Sequence, residues 1–206
     1  MDAPLNTLSK LFWLEGLPEI RTERLILRIP GEGDVPALMR FNEEQQEHFK
    51  PWFPVNALAP TREMILKAVA DRRLQAREDR GYRFNLFLHD DPTAVVGLCS
   101  IAEVRRGAIQ QAVLGYALGH QFQGRGLMTE AVRAAVTFAF KDLDLHRLEG
   151  SYMPNNARSA AVLEAVGFVQ EGFFQEYLLL AGEWQDHIVT SLRNPDWRGT
   201  GRSVQV

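Results

Sequence analysis

The 206-residue sequence has a single cysteine, Cys99. One thiol excludes an internal disulfide framework and a thiolate zinc cage, and it suits a reducing compartment. Neither sign of charge is in surplus: 23 Lys and Arg stand against 26 Asp and Glu, for a net charge of −3. Without a basic excess the chain lacks the electrostatic footprint of a nucleic-acid binder, and no DNA partner is expected. Long apolar runs are missing as well. Met1 to Ile20 lacks a cationic stretch, and its apolar run Leu11–Leu14 is too short for a signal peptide. The longest uncharged stretch, Gly107 to Gly124, carries Gln110, Gln111, His120, Gln121 and Gln123 and would make a poor bilayer helix. These absences point to a soluble, cytoplasmic protein with no membrane partner. The five histidines (His48, His89, His120, His146, His187) show no metal-ligand spacing, so no metal is expected.

What is present is an ordinary globular composition, 46% hydrophobic and 24% charged. A chain of this length can bury a full core as one domain. The expected organisation is an N-terminal arm or short helix over 1–18, a single domain over 19–198 and a tail over 199–206.

Periodicity places the elements. Thr22 to Ile29 alternates as a strand, and Asp34 with Pro36 reads as a helix start, Asp34 serving as cap. That helix runs to about Phe49. Pro51 and Pro54 then fix a loop carrying Trp52 and Phe53. Thr61 opens a second helix with Ile65, Ala68, Val69 and Arg72 at helical spacing. Residues 82–102 read as a hairpin turning at Asp90-Asp91-Pro92, and Ala112 to Leu118 as a further strand. Leu127 to Phe140 is the most strongly patterned helix. A strand to Met153, a short helix from Asn156 closed by Gly167, and a hairpin across Ala181-Gly182 complete the chain. The fold class is α/β, with helices flanking a twisted, mostly antiparallel sheet that has one parallel crossover at the 127–140 helix.

The sharpest local feature is Gln121-Phe-Gln-Gly124-Arg-Gly126-Leu-Met-Thr-Glu130, between an uncharged strand and a strong helix. Glycines let backbone N–H groups converge there, and a helix N-terminus adds positive potential, which together suit a pyrophosphate. The plain alternative is a strand-to-helix turn that needs two glycines and nothing more. A Walker loop would end in Gly-Lys-Ser/Thr, and a dinucleotide fingerprint would need a third glycine; neither is present.

Gln121-x-x-Gly124-x-Gly126 resembles the pyrophosphate loop of the GCN5-related N-acetyltransferases (GNAT). The resemblance extends through Thr22–Arg28, Lys50-Pro-Trp52, Leu114–Leu118, Tyr152–Ser159, Gly167-Phe168, Tyr177–His187 and Pro195-Asp-Trp197, and these look like the ribosomal-protein alanine N-acetyltransferase branch, of RimJ/RimL type. The resemblance implies a GNAT fold with splayed central strands. It also implies acetyl transfer from acetyl-CoA, as cosubstrate, to a primary amine. The leading acceptor is a protein N-terminus. The alternatives are a small amine (polyamine, amino acid or aminoglycoside) or a coenzyme A-binding module without turnover. The chain would act as a monomer or a homodimer.

On that resemblance Ala117 and Leu118 would offer main-chain groups to the pantetheine and thioester. Phe122, Gln123, Gly124, Arg125, Gly126 and Leu127 would cap the pyrophosphate. Asn156 would touch the pantetheine or cap its helix, and Ser159 would stand near the departing sulfur or fill a first-turn capping role. Many relatives place a tyrosine acid where this chain has Leu163, which leaves Ser159 or a water to protonate the thiolate. The base stays open among Glu103, Glu149 and Glu176, with a water relay as a further route. Trp52 and Phe53 would form one wall of the acceptor site and Tyr177, Trp184 and Asp186 the other. Cys99, in an apolar run, is expected to be inert.

Overall fold

The computed structural model describes residues 9–57 and 59–198. The expected tail at 199–206 and the first part of the expected arm lie outside them. Among the described residues there are nine strands and four α-helices: β1 Lys10–Leu14, β2 Leu17–Arg21, β3 Leu25–Arg28, α1 Val35–Phe49, α2 Arg62–Arg77, β4 Tyr82–Leu88, β5 Val95–Arg105, β6 Gln111–Leu118, α3 Leu127–Lys141, β7 Arg147–Tyr152, α4 Ala157–Val166, β8 Val169–Leu180 and β9 Glu183–Arg193. One sheet holds all nine, in the order β1-β2-β3-β4-β5-β6-β7-β9-β8.

Residues 10–21 are a β-hairpin rather than an arm or helix, and β2 joins the sheet by pairing Glu19–Arg21 with β3. Pro18, which cannot donate a ladder bond, lies just beyond that pairing. Glu19 is buried, and its carboxylate accepts a 2.8 Å hydrogen bond from Arg21 Nε.

The sheet is covered on both faces, so its central strands are apolar on both sides. Leu25 and Leu27 face α3 and α4, while Ile26 between them faces α1 and α2. Phe84 and Tyr82 meet Phe138 of α3 edge-on, at 5.7 and 5.1 Å between centroids. Helix α3 is buried almost all round, which explains its strong pattern. Thr61 caps α2 by accepting a bond from Met64 N–H. Asp34 precedes α1 but does not cap it with its side chain. Its carboxylate instead accepts two bonds from Arg28 and one from Gly31 N–H. Burial alone would raise the Asp34 pKa; the Arg28 and Gly31 contacts outweigh it and hold the group below its ordinary value.

The decisive feature for function is the join between β6 and β7. These strands are parallel and pair only from Gln111↔Arg147 to Leu114↔Gly150. β6 continues to Leu118, held by β5 alone, while Ser151 and Tyr152 of β7 stay with β9. The two strands therefore part as a fork whose open end begins at Gly115. Helix α3 makes the crossover between them.

Candidate active site

Two faces meet at the fork. On the α3/α4 face lies the glycine loop. Gly124 and Gly126 both take φ of +73°, a left-handed conformation that β-branched or bulky residues avoid. The last backbone bond donated within the turn runs from Gln123 N–H to His120 O. The next runs from Glu130 N–H to Gly126 O. The amides between them sit at the start of α3, where a helix leaves its N–H groups without internal partners.

Side chains from outside brace this turn. Gln45 of α1 is buried; its Oε1 accepts from His120 N–H at 2.8 Å and its Nε2 donates to Gln121 Oε1 at 3.0 Å. Gln123 lies 3.0 Å from His48 Nε2 and accepts from Arg158 at 2.8 Å. Burial, with help from His120, depresses the His48 pKa, which favours its neutral form. Arg24 donates to Arg125 O at 2.9 Å and pairs with Glu130. Arg24 and Arg158 thus brace the turn from outside. Arg125 itself is exposed.

At the start of α4, Asn156 Oδ1 accepts from Ser159 N–H at 3.1 Å, so Asn156 caps the helix. Ser159 does not use its hydroxyl as a cap. Its Oγ lies 2.9 Å from Tyr116 Oη, and Tyr116 also donates to Ser159 O at 3.0 Å. Tyr116 belongs to the unpaired end of β6, so this contact spans the mouth of the fork. Burial raises the Tyr116 pKa well above its ordinary value and keeps the hydroxyl protonated. Sequence reasoning missed Tyr116. The strand alternation marks it as one side of β6, but nothing local reveals a partner 43 residues away.

On the α1/α2 face, β6 presents Val113, Gly115 and Ala117 and β7 presents Glu149. Glu149 is the register neighbour of Val113 and Ser191 and accepts from Gln111 Nε2 at 2.8 Å. Glu103 sits at a bulge of β5 with φ of +51°. Burial first, then the negative fields of Glu149 and Glu103, raise the Tyr177 pKa. These three groups therefore share one region. Tyr177 also stacks edge-on against His187 at 5.6 Å. Glu176 is placed differently: it is exposed at the β8 bulge, with its N–H donating to Asp186 Oδ1 at 2.8 Å. Trp184 is 60% exposed, and alternation puts Trp184 and Asp186 on the face opposite His187. The expected wall of Tyr177, Trp184 and Asp186 is thus split between two faces, because Tyr177 packs on the side of His187, away from which its β9 neighbours at even positions point.

The α1–α2 loop meets the tip of the hairpin that carries Tyr177. Ala181 N–H, at the tip of the β8–β9 turn, donates to Phe53 O at 3.1 Å, and Val55 lies against Gly182. Ala181 and Gly182 both have positive φ, as a type I′ hairpin turn requires. The loop and hairpin tip form an arch. Phe53 packs on Phe49 at 5.0 Å, and Trp52 is half-buried. Cys99 is wholly buried, and its thiol pKa is pushed up to about 12, so it takes no nucleophilic part. Among the described residues no cluster of three His, Cys, Asp or Glu could hold a metal, and no helix is long and apolar enough to cross a membrane.

The chain is 34% identical over 184 residues to the [ribosomal protein uS5]-alanine N-acetyltransferase of Escherichia coli, covering 88% of this chain and 94% of that one. The ribosomal-protein-S5-alanine acetyltransferase of Vibrio fischeri superposes with a TM-score of 0.80 at 28% identity, covering 87% of this chain and 98% of that one. RimJ of Mycobacterium smegmatis, in complex with CoA-disulfide, gives 0.75 at 30% identity, covering 82% of this chain and 81% of that one. Residues 24–169 match the acetyltransferase (GNAT) domain, and a forked sheet with a glycine turn at a helix start is what that chemistry needs; the chain belongs to the GNAT family and is an acetyl-CoA-dependent N-acetyltransferase.

Proposed function

We propose that this enzyme acetylates the N-terminal α-amine of a protein, a ribosomal protein above all. The observation that carries this reading is the arch from Phe53 to Ala181, which ties the α1–α2 loop to the hairpin whose Tyr177 feels the fields of Glu149 and Glu103. Such an entrance suits a chain end. The likeness to ribosomal-protein alanine N-acetyltransferases points the same way.

The residues divide the work. Amides of 122–127 and the start of α3 hold the pyrophosphate, with Arg125 adding charge at the rim. Ala117 and Leu118, on the unpaired length of β6, offer main-chain hydrogen bonds to the pantetheine and to the carbonyl that is attacked. Acetyl-CoA supplies the acetyl group. Glu149, with Glu103 beside it, takes the proton that the acceptor ammonium must lose before its nitrogen becomes nucleophilic, directly or through a water. Glu176, farther out on β8, is the lesser candidate. As the new C–N bond forms and the C–S bond breaks, the nitrogen releases its second proton to water, and the Ser159 hydroxyl, oriented by Tyr116, gives its proton to the departing sulfur and regains one from solvent. Phe53 and Trp52 on one side and Tyr177 on the other line the acceptor path. Trp184 and Asp186 serve its outer edge. No metal is needed, and we assign the reaction to the cytoplasm, carried out by a monomer or homodimer.

The test is direct. Ribosomal proteins stripped of N-terminal acetyl groups are incubated with enzyme and acetyl-CoA and weighed by mass spectrometry. One acetyl, mapped to a terminal α-amine, is expected. Rapid acetylation of spermidine or an aminoglycoside, with every protein left unmodified, would refute the reading.

A further inference from the structure

A cavity of about 260 Å³ lies between α1, α2 and the sheet, on the face that carries the arch. Its walls include Leu38, Phe41, Phe49, Phe53 and Ile65, and Arg72 and Asn85 line it too. Arg72 comes from the apolar stripe of α2. Among the described residues its only hydrogen bond is a 3.4 Å contact from Nη1 to Asn85 Oδ1, and it enters no ion pair. Four other partly covered arginines sit in ion pairs, Arg28 with Asp34, Arg73 with Glu15, Arg106 with Asp79 and Arg147 with Glu171, while Arg133 donates to Ala165 O at 2.9 Å. A guanidinium cannot shed its proton near neutral pH, so burying one without a counter-charge is costly and needs a reason. Burial and the nearby Arg83 both disfavour its charge.

The cavity adjoins the reaction face at two points. Leu98 lines it and is the cross-strand partner of Ala117. Phe53 lines it and supplies the carbonyl that anchors the arch. We propose that the cavity is a recognition pocket for the acceptor. It receives a side chain, close to the reacting amine, that is apolar along its length and ends in a carboxylate, which Arg72 grips as a two-toothed fork. The occupant completes the ion pair that the fold leaves open. This deepens the protein-acceptor reading and rests on it.

Peptides that begin with alanine and carry either Glu or Gln at each of the next four positions provide the test. At one position the Glu peptide should show a KM about tenfold below its Gln counterpart, at similar kcat. Arg72→Gln should erase that difference, and Arg72→Lys should keep part of it, since charge survives without the fork. Equal KM for every Glu and Gln pair, or a preference that survives Arg72→Gln, overturns the proposal while leaving α-amine acetylation intact. Should no peptide be acetylated, the functional reading falls, and 4-phenylbutyrate then decides the pocket by itself. Saturable binding in protein-observed NMR, stronger than for 4-phenylbutanol and lost in Arg72→Gln and in the cavity-filling Ala68→Phe, upholds a carboxylate pocket. No binding, or equal binding of the alcohol, overturns it. Melting curves of each variant show that the fold persists.

Discussion

The two faces of the fork are built from different materials. On the side we assign to the cofactor, the groups left to meet a ligand are main-chain amides, set by two left-handed glycines and the first turn of α3. Side chains there act as braces: Gln45, Gln123 and Arg24 hold the turn and do not replace it. On the other side the groups we propose to act are side chains brought from three strands: Glu103, Glu149 and Tyr177. Main-chain recognition depends on backbone conformation and tolerates changes of side chain. Side-chain recognition reverses both sensitivities. Such a protein can keep its cofactor while exchanging its acceptor.

Mutations can break this contrast. The largest effect is expected from Gly126→Val, which places a β-branched residue at φ +73°. The conformation costs about 1–3 kcal/mol, and acetyl-CoA binding should weaken by up to about 150-fold by calorimetry. Arg125→Ala, next to it, should weaken binding by only about threefold, because a solvated charge is worth little. Comparable losses in the two variants would show that charge rather than backbone holds the pyrophosphate.

Next in size is Glu149→Gln on the acceptor side, where removal of a general base should lower kcat about 100-fold and leave acetyl-CoA affinity unchanged. If Glu103→Gln gives the larger drop, the base lies one strand over. Ser159→Ala and Tyr116→Phe should each lower kcat by about tenfold, and the double variant should lose little more, since the two hydroxyls act as one unit. Full additivity in thiol-release assays would separate them.

The last effect concerns stability rather than activity. Glu130 of α3 accepts from Thr22 Oγ1 at 2.6 Å, from Arg24 N–H at 2.9 Å and from Arg24 Nε at 2.7 Å. Burial would raise its pKa, but these contacts prevail and lower it. The folded protein therefore binds this proton less readily than the unfolded chain. The stabilisation is complete above the ordinary carboxylate pKa and is lost as pH falls through the depressed value. Glu130→Gln should cost about 2 kcal/mol in urea unfolding at pH 7, and the difference from the native sequence should vanish in acid.

The same contrast explains what the sequence made legible. Main-chain devices leave local marks. The Gly124-Arg-Gly126 spacing, the Asn156 cap, the Ala181-Gly182 turn and the apolar face of α3 are each readable within a few residues, and each stands where the pattern places it. Long-range side-chain meetings leave none. Tyr116 reaches Ser159 through the fold, and the cluster of Glu103, Glu149 and Tyr177 depends on a β5 bulge and on β9 inserting between β7 and β8. The β1–β2 hairpin escaped for another reason. β1 is an exposed edge with little alternation, and β2 hides a proline and a buried glutamate. Arg72 was visible all along as a cation on an apolar stripe, a conflict whose meaning needed the cavity.

The fork has a thermodynamic consequence. From Gly115 to Leu118, β6 has a neighbour on one side only. Whatever lies along that free flank acts as a removable tenth strand, and its binding energy adds to the free energy of folding. Occupancy at a hundred times the dissociation constant adds about 2.7 kcal/mol to stability. The folded lifetime of the enzyme should then rise and fall with the supply of its own cosubstrate, and a melting temperature indifferent to acetyl-CoA concentration would contradict that link.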